Sequence, residues 1–138
     1  MIDRIVSQRV EFMPKQLIQG ILYVSEEYKT AAHLCACGCG EKIRTPLTPT
    51  EWRFTETASG PSLYPSIGNW QKKCQSHYWI NQGQIRWADK WSPEQIAAGR
   101  RGEDARRQEY YSSRKTNNGA SFLGFCKWVW DIIKKFLK

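Results

Sequence analysis

At 138 residues the chain has the size of one ordinary domain, and 41% hydrophobic residues with seven Trp exclude disorder as its default state. No run approaches the roughly 20 apolar residues that span a bilayer, and the N-terminus lacks the basic-then-apolar form of a secretory signal; the expectation is a cytoplasmic protein. The net charge of +8 is uneven: eleven Lys/Arg against nine Asp/Glu give +2 over residues 1–99, while ten against four give +6 over 100–138, so electrostatic attraction belongs to the C-terminal part.

In chain order, Val6–Phe12 mixes β-branched and polar residues before the break at Met13-Pro14. Ile21–Ser25 (ILYVS) predicts a short strand after a turn at Gly20. Lys29–Leu34 leads into Cys35–Gly40 (CACGCG), whose glycines suit a loop wrapped around a bound ligand rather than a strand or helix interior. Thr45-Pro46 and Thr48-Pro49 predict loops. Trp52–Thr57 alternates like a half-buried strand, and Ser62–Ile67 predicts another, interrupted by Pro65. Beyond Trp70, Cys74-Gln75-Ser76-His77 runs directly into a hairpin, Tyr78–Ile80 and Gln84–Ala88, around Asn81-Gln82-Gly83.

Ser92-Pro93-Glu94-Gln95 starts a helix, with Ser92 as cap, Pro93 at the first helical position and Gln95 completing a capping box. The domain reading is a β-rich metal-binding domain over 1–91, a helix over 92–111, a polar linker over 112–121 (SSRKTNNGAS) and an amphipathic basic helix over 122–138. In the last segment Phe122, Phe125, Val129, Ile132, Ile133, Phe136 and Leu137 follow helical spacing, with Lys127, Lys134, Lys135 and Lys138 mainly opposite. Trp128 and Trp130 beside lysines suit an interfacial membrane helix, and the same face suits docking on a protein.

Chemistry concentrates in the cysteines. Cys35, Cys37 and Cys39 form one group, and Cys74 with His77 forms a second; the other histidine, His33, lies beside the first. In a reducing compartment such groups indicate metal binding, and two loops converging on one tetrahedral ion are the usual structural zinc arrangement. The candidate ligands are Cys35, Cys37, Cys39, Cys74 and His77. Two cysteines of the first group with Cys74 and His77 make one closed set; all three with Cys74 make another, with His77 outside it. His33 is read as a hydrogen-bonding partner. Zinc is the expected ion, and a [2Fe–2S] cluster is the alternative.

The segments Leu22-Tyr23-Val24-Ser25, His33-Leu34-Cys35-Ala36-Cys37-Gly38-Cys39-Gly40, Thr45-Pro46-Leu47, Ser66-Ile67-Gly68-Asn69-Trp70 and Cys74-Gln75-Ser76-His77-Tyr78 resemble an uncharacterised, mainly bacterial family, domain of unknown function 6527. Its members are often encoded near bacterial ubiquitin-like conjugation enzymes, so the resemblance implies a partner role in such a pathway. A weaker likeness is to Rieske iron–sulfur domains, which also carry C-x-x-H before a strand. Their first loop is C-x-H, whereas this chain has Cys-x-Cys-x-Cys.

The expected fold is mainly β with C-terminal helices, an α+β chain with a small zinc-ribbon-like or Rieske-like β core. The expected function is a non-catalytic, zinc-stabilised protein-binding module, an accessory of a bacterial ubiquitin-like conjugation pathway with peripheral membrane contact through 122–138. The alternatives are a Rieske-like electron-transfer protein and a metal-dependent hydrolase or conjugation enzyme. Glu41 is the general base such a hydrolase would offer, although a Glu after a turn usually faces solvent. Ser66 and Ser76 lie near the loops, but neither sits in a nucleophile elbow. Trp52, Tyr64, Trp70, Tyr78, Trp79, Trp87 and Trp91 read chiefly as core, with a minority left for a recognition surface. The weak charge of residues 1–99 argues against nucleic acid. The sequence names no small-molecule substrate.

Overall fold

The computed structural model describes the backbone of residues 1–136 and the side chains of residues 1–114. Met1–Ile96 form one compact unit and Ala97–Lys138 a second.

The first unit contains two four-stranded sheets. In one, β1 (Val6–Arg9) runs parallel to β2 (Ile21–Ser25), and β3 (Thr30–Leu34) and β4 (Lys42–Pro46) follow antiparallel. In the other, β5 (Arg53–Thr57), β6 (Gly60–Gly68), β7 (His77–Asn81) and β8 (Gln84–Trp87) form an antiparallel meander. The mainly β fold with a C-terminal helix is therefore as expected. Strand β4 replaces the loop expected at Thr45-Pro46: Ile43 and Thr45 are buried while Lys42, Arg44 and Pro46 face out, the alternation of a one-sided strand.

Alternation also builds the core. Leu22, Val24, Ala31 and Ile43 from the first sheet meet Leu63, Ile67, Tyr78, Ile80 and Ile85 from the second in one buried cluster. Ile5 joins them, because the segment before β1 covers the free edge of β8. Ile5 N–H donates to Gly83 O at 2.9 Å and Ile85 N–H to Asp3 O at 2.8 Å. Gly60, at φ +124°, packs its turn against that of Gly83; a Cβ there would stand 2.8 Å from Gly83 Cα.

The interruption expected at Pro65 is an irregular stretch inside β6, which continues to Gly68. Leu63 pairs with Ile80 and Ile67 with Tyr78, so β6 advances further than β7 between those pairs. The extra residues form a bulge containing Ser66, and bulges re-aim side chains.

α1 (Pro93–Phe136) starts as expected: Gln95 N–H donates to Ser92 Oγ at 3.3 Å, and Ser92 N–H donates to Gln95 Oε1 at 2.8 Å. It does not stop at residue 111. The segment expected to be a linker, 112–121, is helical: no proline follows Pro93, and the Ser112 and Ser113 hydroxyls donate to the Glu109 and Tyr110 carbonyls at 3.0 and 2.8 Å. The amphipathic pattern expected for 122–138 concerns side chains outside the described residues. Among the described residues no helix is long and apolar enough to cross a membrane.

Candidate functional site

Two chemical groups share the β6–β7 connection. The first is the cysteine centre. The β3–β4 ladder ends where Cys35 N–H donates to Glu41 O at 2.8 Å, and Gly38 and Gly40 at φ +86° and +80° fold the loop back on itself. This points Cys35, Cys37 and Cys39 at Cys74 from the β6–β7 loop. The four Sγ atoms all lie within 4.8 Å of one another, with Cys35–Cys37 at 3.3 Å and Cys35–Cys74 at 4.0 Å. Four sulfurs about 2.3 Å from one tetrahedral ion stand about 3.8 Å apart, so the set fits a metal ion.

The surroundings of Cys74 suit a thiolate. Burial opposes ionisation of Cys74, but the Ser76 hydroxyl and backbone N–H and the neighbouring thiols outweigh it and bring the group down to about 7. Burial pushes the Cys37 thiol up to about 12. Cys35 Sγ also lies 3.1 Å from Ser76 Oγ and 3.5 Å from Asn69 Nδ2. Glu41 binds Lys72 Nζ at 2.7 Å and ties the two cysteine loops together, which leaves it engaged rather than poised as a base.

Neither histidine belongs to this group of potential ligands. The set expected from two cysteines, Cys74 and His77 does not form; the one brought together is three cysteines of the first loop with Cys74. His33 is fully buried, with Nε2 2.8 Å from Tyr78 Oη. Burial holds it down at about 4, below the ordinary 6.5. The unfolded chain thus takes up its proton first as pH falls. Stability from neutral His33 is complete above about 6.5 and drains away towards pH 4, by up to about 3 kcal/mol. Urea midpoints at pH 7 and 4.5 should therefore diverge more in the wild type than in His33→Asn; equal divergence would remove His33 as the cause.

The second group centres on His77, the first residue of β7. Gly68 pairs with His77 across the ladder, and the bulge brings Ser66 to the same ring. Ser66 Oγ lies 3.0 Å from His77 Nε2, and His77 Nδ1 lies 3.2 Å from the Asp89 carbonyl oxygen. A carbonyl can only accept, so Nδ1 carries the ring proton. Nε2 is left as the acceptor facing the serine hydroxyl. His77 is only 3% exposed, while Ser66 is half-buried. Trp70, Trp79 and Trp91 stand 4.8, 5.3 and 5.0 Å from it, and Trp70 stacks on Trp91 at 5.5 Å. Gly68 makes room for this cover, since a Cβ there would meet Trp70 Nε1 at 2.5 Å.

His77, expected as a ligand, is thus held between a hydroxyl and a carbonyl. Ser66, set aside from the sequence, is its partner. The signal that could have found the pair is the register of β6 on β7, which the bulge conceals. Of the aromatics, Tyr78 is wholly core, whereas Tyr64, Trp79, Trp87 and Trp91 are exposed.

No curated protein and no solved structure matches the chain. Residues 9–88, more than half of its length, match the model of a family described as bacterial ubiquitination-like system serine protease (BubE). The name differs from domain of unknown function 6527, while the link to bacterial ubiquitin-like conjugation is the expected one. With its cysteine centre and its Ser66–His77 pair inside the matched span, the chain belongs to the BubE family.

Proposed function

We propose that the protein is a serine peptidase of a bacterial ubiquitination-like system, with Ser66 as nucleophile, His77 as general base and a zinc ion held by Cys35, Cys37, Cys39 and Cys74 as a structural element. The observation that carries this reading is the pair of contacts on the His77 ring, Ser66 Oγ at Nε2 and the Asp89 carbonyl at Nδ1. The Asp89 carbonyl fixes the proton on Nδ1, so Nε2 can accept the Ser66 proton as Oγ attacks a carbonyl carbon. His77 then delivers that proton to the leaving amine, and the acyl group stays on Ser66 Oγ. A water molecule attacks the ester carbon, again losing a proton to Nε2; the C–Oγ bond then breaks as Nε2 returns that proton to Ser66 Oγ, and the acid product leaves with Ser66 restored. The tryptophans around the ring exclude water, which strengthens the hydrogen bonds that hold its orientation.

The family description supports a protein substrate, the ubiquitin-like protein of such a system or a conjugate of it. Four free thiols within one coordination sphere support zinc and a reducing, cytoplasmic setting. The non-catalytic role expected from the sequence gives way here, because a binding module needs no serine on a tautomer-locked imidazole.

The test is covalent labelling with a small fluorophosphonate. One adduct per chain on Ser66, lost in His77→Ala, is expected. An adduct on another serine, or none, would reject the assignment.

A further inference from the structure

The nucleophile and the base stand on neighbouring strands, and residues 69–76 that join those strands also carry Cys74. Two side chains at the ends of this connection face the cysteine centre. Asn69 and Ser76 are both 8% exposed. Asn69 Nδ2–H donates to Ser76 Oγ at 2.8 Å, and the Ser76 hydroxyl lies 3.1 Å from Cys35 Sγ, within reach to donate to a metal-bound thiolate. The backbone closes the same circuit: Asn69 N–H donates to Ser76 O at 2.9 Å, Lys72 N–H to Asn69 O at 3.0 Å and Gln75 N–H to Lys72 O at 3.0 Å. The residue after Ser76 is the base, and Asn69 lies three residues beyond the nucleophile.

We infer that Asn69 and Ser76 are positioning residues that transmit the geometry of the cysteine centre to the Ser66–His77 pair, so that the metal site governs the reactivity of Ser66. The inference rests on the peptidase reading above. Physically, a buried polar bridge satisfied only by one arrangement of the loop leaves the two strands a single way to meet. Without the bridge, the loop can relax while Cys74 stays bound, and the Ser66–His77 contact loosens. A displacement of about 1 Å at a reacting pair slows reaction on the order of 100-fold.

The experiment uses the full chain, loaded with one metal ion, and compares wild type, Ser76→Ala, Ser76→Thr, Asn69→Ala and Gly60→Ala. Three quantities are read: metal per chain, the rate of fluorophosphonate labelling, and the sulfur-to-cobalt absorption band of cobalt-loaded protein. Expected are full metal content, labelling slowed roughly 10- to 100-fold in both alanine variants at the connection, and substantial recovery in Ser76→Thr. The cobalt band should shift in Ser76→Ala, because the donor to Cys35 is gone. Gly60→Ala, destabilised at a different turn, should label at the wild-type rate. Wild-type labelling rates in the two connection variants, or equal slowing in Gly60→Ala, would overturn the inference. Absence of labelling in the wild type would instead reject the peptidase reading on which it rests.

Discussion

Ser66→Ala and His77→Ala are each expected to lower kcat for cleavage of a fusion to the system's ubiquitin-like protein by about 10⁴- to 10⁶-fold, with little change in KM. The size follows from their acting as one unit. The hydroxyl is a poor nucleophile until Nε2 takes its proton, and among the described residues the Ser66 hydroxyl, at 3.0 Å, is the one hydrogen-bonded to the imidazole. The double variant Ser66→Ala/His77→Ala should be no slower than either single one, since removing one member already disables the other. Multiplied effects would mean that the two residues act independently, and the shared mechanism would fall. Asp89→Ala is a sharper probe. Its backbone carbonyl, not its carboxylate, holds Nδ1, so this variant should keep its rate within a few-fold. A loss as large as that of His77→Ala would show that the side chain carries the orienting role.

Cys74→Ser should release the metal and lower the melting temperature by at least about 10 °C. Three sulfurs no longer close a tetrahedron, and binding free energy at a structural site is folding free energy. A loss of about 2–3 kcal/mol in a unit of this size is enough for such a shift. His77→Ala, in contrast, should keep one metal ion per chain, because both ring nitrogens are engaged away from the cysteines. Metal analysis of the two variants separates the four-cysteine set from any set that includes His77. Retention of metal in Cys74→Ser, or its loss in His77→Ala, would overturn the ligand assignment. Chelation of the wild type should reproduce the melting shift, and adding zinc should reverse it.

Local patterns carried much of the fold. Ile21–Ser25 is a run of β-formers, and the observed β2 has those limits. The hairpin after His77 and the start of α1 follow from turn and capping chemistry that neighbouring residues provide. Cys35, Cys37, Cys39 and Cys74 were legible as one candidate ligand set because soft sulfur donors at short spacings favour metal ions, and the fold brings their four Sγ atoms within 4.8 Å of one another. Two features at the same level went unread: the K-I-R-T alternation of β4, masked by the proline that ends it, and the helical continuation of α1 through residues that carry no apolar stripe.

The identity of the partner of His77 was not a local property. C-x-x-H spacing placed that imidazole near the cysteines in sequence, yet strand alternation turns its side chain to one face of β7 and the Tyr78 side chain to the other. Whether His77 would meet sulfur or serine depended on the offset of β6 against β7, set by a bulge between Leu63 and Ile67 that no periodicity announces. The Asp89 carbonyl is less legible still, because every residue has one and only the path of the chain after β8 brings this one to Nδ1. Residue chemistry, readable one side chain at a time, determined that a cysteine cluster and a β core would form. Register, which depends on how two distant segments pair, decided that a serine would face the histidine.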